Sequence, residues 1–203
     1  MRDRIHPTAV LDAQYRNFQQ GRPAAGVEYR ETSIADNIAI GAYAVIGRGA
    51  HFASGIVIDH HCIVEPNVTL GRNCLLIYRA IVGGDTEVGS DCVIGGFISE
   101  GCVIGDRCRV FGQLVHKQVD TTQPWDEHEI PEPSVRIGDD AFVGFNALVI
   151  GGVDIGSRAY VAAGAIVTRS VPPRHIAYGI NRVVPFSAWK GALANNPIAD
   201  GEL

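Results

Sequence analysis

Seven histidines, five cysteines and an uneven scatter of carboxylates are the groups in this chain that could move protons, hold a metal or attack a carbonyl. Two histidines stand out by location. His116 ends the run Gln113-Leu114-Val115-His116, and His128 lies inside 117–134, a stretch that interrupts an otherwise regular pattern. A long excursion within a repetitive chain is a common seat of function. An imidazole, with an ordinary pKa near 6.5, suits abstraction of a hydroxyl or ammonium proton at neutral pH. His116 is the preferred candidate because it sits at the excursion's root, where a strand can fix its position. The other reading makes it an ordinary packed histidine, since it falls six residues after Val110. His51, His60, His61 and His175 are the remaining alternatives. No Ser or Cys stands in a recognisable nucleophile motif, so nothing implies a covalent enzyme intermediate.

Charge is unevenly placed. Between Val119 and Ser134 lie Asp120, Asp126, Glu127, Glu129 and Glu132 with no Lys or Arg, whereas 155–199 carries Arg158, Arg169, Arg174, Arg182 and Lys190 with no Asp or Glu. The basic stretch suits an anionic ligand such as the phosphates of CoA, or is simply a solvated face. The acidic one could select a cationic acceptor, orient His116 through its second ring nitrogen, or merely keep a loop soluble. Trp125 could stack on a sugar ring or anchor the excursion. The net charge of −5 argues against nucleic acid or an anionic membrane as partner. No apolar run approaches the ~20 residues of a membrane span, and residues 1–7 lack the apolar stretch of a secretory signal.

The elements that must hold these groups follow from a period of six. From Ile34 every sixth residue through Ile94 is apolar; the count slips by four to Ile98, continues through Ile104 and Val110, and restarts at Ile137 to run through Val167. Two places before each stands a small or β-branched residue, and all five cysteines (Cys62, Cys74, Cys92, Cys102, Cys108) fall in that column. They therefore read as packing residues of a reducing compartment, the cytoplasm, and not as metal ligands or disulfides. Period six is neither helical nor a simple strand alternation. It fits a short strand and a sharp turn repeated every six residues, stacked coil on coil. The frequent Gly after the aliphatic residue is expected to take the turn conformation that disfavours a Cβ. The organisation expected is an N-terminal cap and irregular segment at 1–33, a solenoid at 34–184 with its loop at 117–134, and a short helix and tail at 185–203.

On these residues, and most specifically on the run from Val135-Arg136-Ile137-Gly138-Asp139-Asp140 to Val171-Pro172-Pro173, the chain resembles the hexapeptide-repeat acyltransferases, in their sugar and xenobiotic acetyltransferase branch. The resemblance implies an all-β, left-handed parallel β-helix, assembled as a homotrimer. It implies transfer of an acetyl group from acetyl-CoA, in one direct step, to a hydroxyl or amine of a small acceptor such as a sugar or amino sugar. His116 would be the general base. Trp125 and His128 would meet the acceptor. Phe145, Ala163, Thr168, Arg169 and Arg182 would line the CoA groove. Where relatives often read Gly-x-Pro-Ala, this chain reads Gly179-Ile180-Asn181-Arg182. Two other functions compete. A carbonic-anhydrase-like zinc enzyme would need three convergent histidines, and a non-catalytic scaffold would need neither the excursion nor the basic stretch.

Overall fold

The computed structural model describes residues 4–13, 28–117 and 132–190. Within them the chain winds as a parallel solenoid with three short strands per turn, one on each of three flat faces, here A, B and C. In one turn Leu75–Leu76 lies on A, Ile81–Val82 on B and Glu87–Val88 on C. Each pairs in parallel with its counterparts in the turns before and after, giving sheets of ten, eight and seven strands. Neighbouring turns are thus one strand spacing, about 4.8 Å, apart.

The six-residue period is the reason. In each two-residue strand the second side chain points inward, and Leu76, Val82 and Val88 are at most 3% exposed. The small column fills the inner corners, where Ala80, Thr86 and Cys92 are fully buried. All five cysteines are unpaired and at most 1% exposed. Burial pushes the Cys62 and Cys102 thiols up from their ordinary values.

The repeated glycines serve a different purpose from the one expected. Gly41, Gly47, Gly71, Gly83 and Gly89 are not among the positive-φ residues; the left-handed position falls two places later, on residues such as Asn73 (φ 56°) and Asp91 (φ 60°). Asn and Asp tolerate that conformation. The glycine is needed because the next turn crosses where its Cβ would stand: at Gly71 a Cβ would lie 2.5 Å from the carbonyl carbon of Gly89.

The slips in the count are shortened corners. Ile94 to Ile98 and Val110 to Leu114 each pass from face A to face B in four residues instead of six. This resets the register ahead of the excursion. Leu114, not His116, takes the inward position and is fully buried. His116 instead lies beyond the strand Gln113–Val115, where faces B and C meet, with its side chain 39% exposed. The packed-histidine reading is thereby overturned.

The ends also differ in detail from expectation. Residues 4–13 are a first turn and not only a cap: Arg4–Ile5 pairs with Ala39–Ile40, and Val10–Ala13 with Val45–Gly47. At the other end Arg182–Pro185 turns back antiparallel on His175–Tyr178. Of the helix expected from Pro185, the described residues contain one 3-10 turn, Phe186–Ala188. Trp189 is already extended (φ −77°, ψ 127°) and sets its ring edge-on to Tyr178 at 5.2 Å. That contact, with Phe186 against the buried Ile176, ties the terminus to face A.

The corner between faces C and A carries a ladder of charge. Arg107 grips Asp140 through two hydrogen bonds, 2.6 and 3.1 Å, and Arg158 approaches the same carboxylate at 3.7 Å. The Arg107 hydrogen bonds hold the Asp140 carboxyl below its ordinary value. A lowered folded-state pKa adds stability above the unfolded value, about pH 4, and this is lost as pH falls through the folded one. Asp140→Asn, which keeps a residue suited to φ 59°, is expected to lower the denaturation midpoint at neutral pH. The difference from wild type should shrink as the pH falls below the ordinary carboxylate range and vanish once the folded-state carboxyl is protonated. Urea titrations across pH test this.

Candidate active site

The strand Gln113–Val115 on face B pairs with Leu148–Ile150, which pairs with Ile166–Val167. Continuing that register, His116, Gly151 and Arg169 stack along the edge between faces B and C. His116 and Arg169 are two strand spacings, about 10 Å, apart. On the other side of His116 the same register brings Glu100. Charge along this edge therefore changes sign at the histidine.

The excursion leaves after His116 and returns at Glu132. Its two limbs are joined by the Lys117 N–H donating to the Pro133 carbonyl at 3.2 Å, and Ser134 Oγ donates to the Glu100 carbonyl at 2.7 Å. This brings Glu132 Oε2 to 2.7 Å from His116 Nε2, with the carboxylate side chain 23% exposed. A carboxylate only accepts hydrogen bonds, so at this contact Nε2 is the atom that would carry the hydrogen, leaving the lone pair of a neutral ring at Nδ1. A partly shielded histidine beside a carboxylate is equipped to take a proton and to keep the resulting charge balanced. Of the five carboxylates in the acidic stretch, Glu132 is the one among the described residues, and it is the one seen at His116. Trp125 and His128 lie outside the described residues.

The other candidates divide between the two edges of face B. Phe145 and Ala163 are at the A–B edge, where Phe145 is 58% exposed and stacks on Phe111 at 4.7 Å. Thr168 and Arg169 are at the B–C edge and both exposed. The Thr168 N–H donates to Asn181 Oδ1 at 2.8 Å, and Asn181 Nδ2 donates to Thr168 Oγ1, also at 2.8 Å. Sequence reasoning missed this clamp. Asn181 stands in the segment that departs from the common pattern, and that departure was the available signal. Arg182, exposed, sits over the Tyr178 ring at 6.0 Å.

The basic stretch does not form one patch. Arg158 and Arg174 fall on the C–A corner and Arg169 on the B–C corner, while Arg182 is on the returning strand. Arg158 already faces Asp140. A run of charge in sequence is dispersed here because each turn carries it around three corners. The histidines are dispersed too: His60 and His61 lie at the A–B corner, three turns from His116. Among the described residues no three His, Cys, Asp or Glu side chains gather as a metal site.

Residues 134–169, which include the two turns carrying Gly151 and Arg169, match the family model described as the hexapeptide repeat of succinyl-transferase. The match and the three-sided coil identify the solenoid as one built of hexapeptide repeats. Its relatives include the bifunctional protein GlmU of Acinetobacter baylyi, 29% identical over 150 residues, which are 74% of this chain and 27% of the relative. GlmU of Streptococcus uberis is 27% identical over 190 residues, 94% of this chain and 35% of the relative. The hexapeptide-repeat chain thus spans about a third of the length of these curated relatives. Among solved structures, UDP-N-acetylglucosamine acyltransferase from Campylobacter jejuni is similar at 16% identity and a TM-score of 0.48, over 89% of this chain and 73% of that one. A perosamine N-acetyltransferase from Caulobacter crescentus, in complex with CoA and GDP-perosamine, gives 17% and 0.43, over 91% and 57%.

Proposed function

We propose that this hexapeptide-repeat protein is a CoA-dependent acyltransferase that moves an acetyl group from acetyl-CoA to a hydroxyl or amine of a small acceptor such as a sugar or amino sugar. The observation that carries the reading is the His116–Glu132 pair at the root of the excursion, facing a solvent-open edge. His116 Nδ1 takes the acceptor's proton as the acceptor oxygen or nitrogen attacks the thioester carbonyl, and Glu132 balances the imidazolium that forms. Bound acetyl-CoA supplies the activated acyl carbonyl. The imidazolium then returns its proton to the leaving sulfur, so no covalent enzyme intermediate is needed. Backbone N–H groups stabilise the oxyanion. Arg169, two turns from His116, is placed to meet a phosphate, with Thr168 on the same edge; Phe145 and Ala163 on the opposite edge of face B, and Arg182 on the returning strand, are assigned to the donor as well. Trp125 and His128 are assigned to the acceptor.

The working form is a homotrimer. Outward residues are mostly apolar on face A (Val57, Leu75, Val93; Arg4 and Arg109 excepted) and face B (Ile63, Ile81, Phe97; Gln113 excepted), and mostly polar on face C (Ser33, Glu87, Asp154; Val103 excepted). Large exposed apolar side chains such as Val57 (43%), Tyr78 (52%) and Phe97 (41%) cluster on faces A and B and their shared edge. Contiguous exposed apolar surface marks an interface. No helix among the described residues is long and apolar enough to cross a membrane, and the five unpaired thiols suit the cytoplasm.

Calorimetry with acetyl-CoA and CoA tests the donor assignment. Binding at a Kd of about micromolar order is expected for the wild type. It should be lost in Thr168→Glu, which puts a negative charge beside Arg169 and breaks the Asn181 clamp. Absence of binding up to about millimolar ligand overturns the assignment.

A further inference from the structure

We propose that Gly151 is a positioning residue for the His116–Glu132 pair: its bare backbone is the seat on which the returning limb of the excursion rests. A side chain there separates the two groups. For its effect on turnover, this inference rests on the acyltransferase reading above; for its effect on the pair itself, it does not.

The geometry is specific. Gly151 donates its N–H to the Val115 carbonyl at 2.6 Å, which locks it beneath the point where the chain leaves face B. An added Cβ would stand 2.1 Å from the Pro133 carbonyl oxygen, 2.6 Å from the Lys117 nitrogen and 2.8 Å from the His116 Cα. All three are backbone atoms, and together they are the two limbs of the excursion and the root of the histidine. No rotamer change relieves such a contact; the limb itself must rise. Proline has no N–H, so the Pro133 carbonyl is that residue's only backbone link across the limbs, through its bond from Lys117. Glu132 immediately precedes it and moves with it, and a displacement of about an ångström turns a 2.7 Å contact into no hydrogen bond.

The register gives an internal comparison. One turn later the same position is Arg169, a long side chain, where the next corner passes without an excursion. Gly152 extends the seat: it has φ +72°, and a Cβ there would lie 3.1 Å from the Pro133 Cβ. The excursion of this chain is thus matched by a Gly-Gly pair in the turn beneath it.

The test compares Gly151→Ala, Glu132→Gln and the double variant in the full-length protein. Proton and nitrogen NMR of the histidine rings, assigned with His116→Ala, reports the hydrogen-bonded Nε2 proton of His116. That resonance is expected in the wild type and absent from both single variants. Circular dichroism should still show the solenoid intact. In turnover, each single variant is expected to lose about 10–100-fold in kcat with the acetyl-CoA KM within about threefold. The double variant should lose no more than either single, because both changes remove the same interaction. A Gly151→Ala protein that keeps the Nε2 resonance, or losses that multiply in the double variant, would overturn the proposal. Should Gly151→Ala fail to fold, Ser134→Ala decides: it removes the other tether of the limb. Retention of the resonance there supports the seat at Gly151, and its loss assigns the holding to Ser134 instead. If the resonances behave as expected but no acetyl transfer is found, the acyltransferase reading falls and the seat stands.

Discussion

His116→Ala is expected to reduce kcat for acetyl transfer by about 10²–10⁴-fold while leaving the affinity for CoA within about twofold. The two effects separate because the ring sits at the root of the excursion, two turns from Arg169, and meets the acceptor's proton, not the donor's phosphates. Glu132→Gln should fall between this variant and the wild type. A carboxamide is a weaker, uncharged acceptor at the 2.7 Å contact, so the Nε2 proton is no longer held against exchange and the charge that balances the imidazolium is gone. Steady-state kinetics with the acceptor saturating, alongside calorimetry for CoA, measures both. Wild-type turnover in His116→Ala would remove the histidine from the chemistry.

Val57→Glu and Phe97→Glu are each expected to break the proposed trimer, raising its dissociation constant by about a thousandfold or more. Both side chains point away from the solenoid core, 43% and 41% exposed, so neither change disturbs the coil that carries it. They lie on different faces. In a closed ring built from one heterologous contact, face A of one copy meets face B of the next, and a carboxylate on either face is buried three times over. Sedimentation should therefore show monomers for both variants, with unchanged circular dichroism. Sensitivity confined to one variant would mean that a single face is used, as in an isologous dimer.

Much of the solenoid was legible in the sequence because its period is carried by side chains with one physical duty each. Leu76, Val82 and Val88 had to be apolar to fill the interior, and Ala80, Thr86 and Cys92 had to be small to fit the corners. The cysteines were therefore readable as packing without any chemistry. The glycines misled, since composition cannot distinguish a residue that bends the chain from one that yields to a neighbouring turn. Gly71 is of the second kind. His116 was found by its place beside the excursion, yet its exposure depended on Val110 reaching Leu114 in four residues, a slip visible at Ile94–Ile98 but not carried forward. Glu132 could only be one carboxylate of five until the limbs were seen to close at Lys117 and Pro133. The basic stretch was legible as composition and not as a surface, because three corners share it. Asn181 was noticed as a departure, but that its carboxamide bonds both ends of Thr168 is a fact of the fold.

The reversal of direction at Arg182–Pro185 closes face A among the described residues. Every other strand of face A is parallel, and the opening strand Arg4–Ile5 offers its outer edge in the same sense. Were the last rung also parallel, one copy could seat its first turn on another's last, and growth end to end would yield a fibre. With the last strand reversed, a second copy cannot continue the parallel ladder of face A in the solenoid's own sense, and the aromatic latch of Tyr178 with Trp189 holds that strand in place. Among the described residues, the parallel run of face A thus ends on a strand that runs backwards, one of the ways an edge is guarded against end-to-end pairing.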